Sequence, residues 1–194
     1  PNKKNTMACT ALTKGRGLDC NRISGGIKNI YFAVFDQVTS IPQTAGEITD
    51  LEMGTNDLYK YVMPLGVSSL TDTIVGSREN GTIYYTPTCN IILNRLTKED
   101  QNQIKLLGAT KTIIFAELNE TLVSNGHNVI VGLGSVNGME LNAGTMDSGA
   151  AWGDRNGYTL TFDGMEALPF AMVADYTTAP FDNAGFTFGA IVTS

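Results

Sequence analysis

Residues 128–164 read NVIVGLGSVNGMELNAGTMDSGAAWGDRNGYTLTFDG and hold eight of the chain's 21 glycines. Two Asn-Gly pairs, Asn137-Gly138 and Asn156-Gly157, punctuate the apolar runs. Asn and Gly tolerate the positive φ angles of two-residue hairpin turns, so Asn-Gly between apolar segments is a strong short-range hairpin signal. The expected order is a strand over Val129–Val136, a turn at Asn137-Gly138, and a second strand from Met139 to Leu141. Gly157 then opens a strict alternation, with Tyr158, Leu160 and Phe162 on one face and Thr159, Thr161 and Asp163 on the other. A period of two marks a half-buried antiparallel strand. Nothing in the stretch has the residue types of a catalytic centre; it reads as scaffold.

Outward from this stretch the same signals recur. Toward the C-terminus, Leu168–Val173 is a strand pattern with proline near its start, Phe181–Gly185 a turn, and Phe186, Phe188, Ala190 and Val192 alternate again. Toward the N-terminus, Lys111–Leu118 is a strand joined to Val129 by a polar hairpin, Glu120–His127. Leu96–Gly108 has the marks of a helix over about residues 97–107: Thr97 as N-cap, Glu99 and Asp100 at the positive end of the dipole, Ile104 and Leu107 on one face, and Gly108 as the stop. In Thr82–Asn94, Ile83, Tyr85, Cys89, Ile91 and Leu93 share a face. Pro87 cannot donate to a ladder, which predicts an edge position or a bulge there.

Leu70–Gly76 is a short, weak strand pattern, and Leu58–Val67 alternates through Tyr61, Met63, Leu65 and Val67. Thr39–Asn56 reads as a long irregular loop, and loops of that length are usually functional or interfacial. Ile27–Phe35 is apolar on both faces, which predicts cover on both sides, inside the domain or against a neighbouring subunit. Eight or nine short strands without a βαβ rhythm predict a mainly β, antiparallel sandwich or barrel of two packed sheets with one flanking helix. The domain reading is an N-terminal arm, 1–26, and one sandwich domain, 27–194, with a long loop at 39–57.

The 42% hydrophobic and 16% charged composition is that of a folded chain, and a net charge of −6 argues against a surface that grips phosphate. The longest aliphatic and aromatic run, Ile30–Phe35, is far too short to span a membrane. The N-terminal segment has basic residues but no apolar core of a secretory signal. Cys9, Cys20 and Cys89 lack the number and spacing of a disulfide framework or zinc site, so three reduced thiols are expected.

Candidate chemistry is sparse. Gly132, Gly134 and Gly138 superficially resemble a dinucleotide fingerprint, but a strand follows them rather than the helix N-terminus such a site requires. His127, the sole histidine, sits among Asn125, Gly126 and Asn128 and reads as a solvated loop residue. Asp147, Asp154 and Asp163 lack the spacing of a calcium loop, and Asp154-Arg155-Asn156-Gly157 reads as turn chemistry. Glu99-Asp100 and Asp163 with Glu166 read as helix-start and turn carboxylates. Lys14, Arg16 and Arg22, with Lys3 and Lys4, make the arm locally basic, able to meet an acidic neighbour or simply be solvated. Trp152 reads either as an interface anchor or as a buried loop plug. No catalytic, cofactor or metal constellation emerges, and no enzymatic activity is expected.

The succession of Thr82–Asn94, LTKEDQNQIKLL (96–107), KTIIFAEL (111–118) and the glycine-rich 129–170 resembles tail tube proteins of tailed bacteriophages, most of all those of phages of Bacteroidetes-like hosts. The opening ACTALTKGRGLDCNRISGGIKNIYF (8–32) is similar to the openings of structural proteins of such phages. The likeness covers most of the chain, is weakest over Thr39–Gly76, and rests on the order of elements rather than on any one residue. It implies a virion protein, assembled in the bacterial cytoplasm. Its hexameric rings stack into a hollow tube, meet other tail proteins (sheath, baseplate or terminator) and pass genome DNA. An acidic surface suits such a lumen. Glu47, Asp50, Glu52 and Asp57 in the long loop are then candidate interface or lumen charges, and the basic arm (Lys14, Arg16, Arg22) a candidate partner for them. Reversing Glu47, Asp50 and Glu52 to Lys is expected to block ring stacking or slow DNA passage. The alternatives are another virion part (capsid decoration, connector or terminator, fibre-like module), the tube of a contractile injection system, or a carbohydrate-binding or hydrolytic sandwich, which a single tryptophan disfavours.

Overall fold

Apolar side chains on both sides of Ile27–Val34 need cover on both sides, and the fold provides it within one chain. The computed structural model describes residues 14–17 and 23–193. In chain order its elements are β1 (Ile27–Val34), β2 (Gln43–Thr44), β3 (Glu47–Ile48), β4 (Leu51–Glu52), β5 (Leu58–Val62), β6 (Ser69–Ser77), β7 (Thr82–Asn94), α1 (Lys98–Leu107), β8 (Thr112–Thr121), β9 (Asn128–Leu133), β10 (Glu140–Asp147), β11 (Gly157–Asp163), β12 (Ala171–Val173), β13 (Phe186–Thr187) and β14 (Ile191–Val192). Eight strands form one sheet in the order β14-β5-β1-β8-β9-β12-β3-β2, four form a second in the order β10-β11-β7-β6, and β13 pairs with β4. The long neighbours are antiparallel, while β12–β3, β13–β4 and β14–β5 are parallel.

The eight-stranded sheet is the middle layer. Ile30, Phe32, Ile114, Ala116, Val131 and Leu133 face the four-stranded sheet, where they meet Cys89, Ile91, Tyr158, Leu160 and Phe162. Phe32 and Phe162 lie 5.2 Å apart across this seam. Tyr31, Ala33, Ile113, Phe115 and Ile130 face the other way, under Ile48, Leu51, Met53 and Phe181. Phe181 stands edge-on to Tyr31 at 5.0 Å and to Phe115 at 5.3 Å. Cys89 is wholly buried, and burial pushes its thiol up to about 12.

The α1 helix begins as its sequence predicts: the Thr97 hydroxyl accepts the Asp100 N–H at 3.1 Å, and Ile104 is its buried residue. Gly108 ends the helix, but in right-handed conformation (φ −70°) rather than as a left-handed stop. One flank of α1 lies beside Met146 of β10 and the other beside Tyr59 and Tyr61 of β5, so the helix closes that side of the sandwich.

Four local expectations are corrected. Thr39–Asn56 is not an open loop: it folds into β2, β3 and β4 and buries Ile48, Leu51 and Met53, so it is the lid of the second core. Asn137-Gly138 does not close a hairpin, because β9 and β10 belong to different sheets and the segment is the crossing between them. Gly134 (φ +75°) and Gly138 (φ +83°) take the left-handed angles that this crossing needs. Asn156-Gly157 is likewise no tight turn: Asp147 pairs with Gly157 across a nine-residue connection, 148–156. Gly157 is glycine for another reason, since a Cβ there would run into the Leu93 carbonyl oxygen of β7.

Pro87 sits inside the sheet, opposite Asp72 of β6 and buried. It is tolerated because its nitrogen faces the side where β11 has just ended at Asp163 and only the Gly164 N–H reaches back to its carbonyl, at 3.2 Å. The β6 strand, weak by pattern, runs nine residues, with the long β7 as its template.

Candidate functional surface: the uncovered face of the four-stranded sheet

The inner face of β10-β11-β7-β6 packs on the core through Cys89, Ile91, Tyr158, Leu160 and Phe162, while Ile74, Ile83 and Met146 at its margins stay exposed; the outer face follows from register. Thr159 and Thr161 of β11 lie opposite Ile92 and Asn90 of β7, and Thr88 and Thr86 lie opposite Thr71 and Thr73 of β6. Asn90 accepts a hydrogen bond from the Thr161 hydroxyl at 2.8 Å on this face. Continued outward to Thr145 of β10, most of the face is hydroxyl and amide groups, with Val75, Tyr84 and Ile92 as its apolar positions. Its charged strand positions are Glu140, Asp147 and Asp163, all acidic.

Basic groups stand only at its rims: Lys111 pairs with Glu140 at 3.2 Å at one end, and Arg155 donates to Thr159 at 2.6 Å at the other. Near Lys111 the face hollows into a cleft of about 550 Å³ lined by Thr86, Thr88, Glu140, Asn142 and Asp163. The cleft holds hydrogen-bonding groups without an aromatic platform.

Among the described residues, both margins of this sheet end without a partner strand. Tyr85 of β7 exchanges both backbone bonds with Glu166, at 2.9 and 2.8 Å, so it points away from β6. In an antiparallel ladder the alternate residues then serve the other neighbour. Tyr84, Thr86 and Thr88 therefore bind β6 through Val75, Thr73 and Thr71. The backbone groups of Leu70, Asp72, Ile74 and Gly76 point out of the sheet edge. At the opposite margin β10 carries a bulge between Leu141 and Ala143, which twists but does not shorten it.

Glu166 fixes the connection beneath the face. Its carboxylate accepts the N–H groups of Val136 at 3.0 Å and Asn137 at 2.9 Å, locking the crossing between the sheets. Burial raises its pKa against the lowering pull of those N–H groups. It is thus a structural acceptor for the crossing.

The acidic candidates of the sequence lie elsewhere. Glu47 and Glu52 are exposed on the lid of the second core, the opposite layer from this sheet. Asp50 is half-buried beside Gly185, and the Asp57 carboxylate is spent on the Ala190 N–H at 2.7 Å, which holds the C-terminal strand. Lys14 and Arg16 are exposed, while Arg22, Lys3, Lys4, Cys9 and Cys20 lie outside the described residues.

His127 is not simply solvated: it pairs with Asp175 at 2.9 Å and stacks on Tyr176 at 4.3 Å, pinning the β8–β9 hairpin to the segment after β12. Asp154 is turn chemistry as expected, accepting the Ala150 and Ala151 N–H groups at 3.0 and 2.7 Å, which hold its carboxyl below the ordinary range. Trp152 is fully exposed.

Among the described residues no group of three or more His, Cys, Asp or Glu side chains is placed to hold a metal ion, and no helix is long and apolar enough to cross a membrane. Comparison with protein-family models, with curated proteins and with solved structures gives no match.

Proposed function

We propose that the chain is a non-enzymatic structural subunit that closes into rings and stacks them into a hollow tube, the tail tube through which a bacteriophage's genome DNA leaves the virion. One observation carries this reading: among the described residues, the four-stranded sheet has two long edges without a partner strand, and they run in opposite senses. Its strands alternate strictly in direction, so β10 and β6 are antiparallel to one another. Rotation about an axis along the strands preserves each strand's sense, so β6 of one copy meets β10 of the next as an antiparallel pair. Repetition closes a barrel and removes both edges. The inner face is committed to the core and the wider sheet lies outside it, so the hydroxyl-paved face lines the lumen. With acidic side chains and, among the described residues, no cluster of Lys or Arg across it, that lumen offers a phosphate backbone little to hold. Six copies per ring and contacts with sheath, baseplate or terminator proteins follow the family resemblance.

The test is electron microscopy with light scattering over a concentration series, on the wild-type chain and on Ile74→Pro. Proline at 74 removes an outward N–H of β6 without touching the β6–β7 ladder. Wild-type chains are expected to form rings or tubes, and the variant to stay folded and unassembled. Wild-type chains that assemble only on a preformed capsid would instead make this a decoration protein. Rings from Ile74→Pro indistinguishable from wild type would remove the edge-pairing basis.

A further inference from the structure

Lateral edges explain a ring but not how rings join lengthwise. We infer that the joint is Trp152 of one copy seated in an apolar cleft of the copy above or below it; the inference rests on the tube reading and adds the axial contact. Trp152 is the chain's only tryptophan and is fully solvent-exposed. Its loop, 148–156, is nonetheless held in place. Asp147 accepts the Gly149 N–H at 2.9 Å, Asp154 takes those of Ala150 and Ala151, and Asn156 accepts the backbone N–H groups of Arg95 at 2.6 Å and Leu96 at 3.2 Å. A large aromatic side chain displayed on a pre-ordered loop is the physical profile of an interface anchor, because little conformational entropy remains to be lost on binding.

The receptor is on the same chain but at the other end of α1. Phe32, Val34, Tyr59, Tyr61, Leu106 and Leu107, together with two glutamines and two threonines, line a cleft of about 300 Å³, room enough for an indole. Leu106 and Tyr59 on its wall are 52% and 39% exposed, apolar area that a second copy would cover. The loop meets α1 at its start, through Leu96 and the Tyr158 hydroxyl on the Thr97 carbonyl, whereas the cleft is built from its last turn. Ten helical residues separate the two by about 15 Å along the strand direction. A chain cannot fill its own cleft, and donor and acceptor at opposite ends give a head-to-tail contact that propagates along an axis.

The lone tryptophan reports on its own burial. In a concentration series on the full chain, its emission should move to the blue as tubes lengthen. Trp152→Ala and Leu106→Asp should each weaken lengthwise association at least tenfold while rings still form. An equimolar mixture of the two variants should recover ring pairs, since one keeps the cleft and the other the indole. Tubes of normal length from Trp152→Ala, or assembled tubes whose emission stays that of exposed indole, overturn the axial contact and leave ring closure standing. Chains that remain monomeric in every readout overturn both.

Discussion

The outer face of the four-stranded sheet and the far face of the eight-stranded sheet are both broad β surfaces, and one is bare while the other is roofed. The far face carries Tyr31, Ile113, Phe115 and Ile130, and the chain spends residues 38–58 and the segment after β12 to cover it. The bare face carries chiefly threonine, serine and asparagine, with Val75, Tyr84 and Ile92 among them, and is left to solvent or to whatever a ring encloses. An apolar face recruits cover from its own chain, whereas a hydroxyl-paved face needs none, so its sheet is free to extend sideways. The difference lies in side chains, not backbone.

The largest effect should come from lifting the roof. Phe181 fits between Tyr31, Phe115 and Phe186 and tolerates a left-handed backbone (φ +67°) to do so. Phe181→Ala should lower stability by roughly 3–5 kcal/mol in denaturant melts, the range for emptying an aromatic core site. Next is Glu117, buried beneath the same roof, where its carboxylate accepts from Asn29 at 2.6 Å and Tyr31 at 2.9 Å and meets the Lys28 ammonium at 3.3 Å. Glu117→Gln keeps the shape, gives up the charge-assisted bonds and should cost about 1–3 kcal/mol by the same measurement.

A subtler contrast is in pH. Glu166, at the margin of the bare sheet, has a folded pKa above its ordinary 4.5 because burial disfavours the carboxylate. The folded chain therefore binds that proton more readily than the unfolded one. Its favourable contribution is complete below the unfolded value and is lost as pH rises through the folded value. Stability of wild type relative to Glu166→Gln should fall with rising pH across the interval just above 4.5, and superimposable pH curves would refute this. The smallest effect belongs to the bare face itself: Thr159→Ala should change stability by no more than about 0.5 kcal/mol, with any consequence confined to assembly or to what passes across the face.

Much of this was legible in the sequence, for identifiable reasons. Two-sided burial of β1, the Thr97 cap and the alternation of Tyr158–Asp163 are local patterns, and each is found where the residues predict it. The lid at 39–57 was not legible, because its strands are two residues long and their apolar positions, Ile48, Leu51 and Met53, keep no regular period. Pairing there is dictated by partners more than a hundred residues away, such as Met172 and Phe186. Of the two Asn-Gly signals for positive-φ turns, only Gly138 takes a left-handed angle, and neither pair closes a hairpin, since turn chemistry does not reveal whether the next strand returns to the same sheet. The bare face had a signal in plain view: the polar positions Ser69, Thr71, Thr73 and Ser77 alternate within what looked like a weak strand.

Cys89 sits at the centre of the seam between the sheets. Thiol reagents attack the thiolate, and a wholly buried thiol pushed up to about 12 offers almost none while the seam stays shut. Its rate of labelling, followed on the peptide that contains it, is therefore a clock for how often the two sheets part, before assembly and after it.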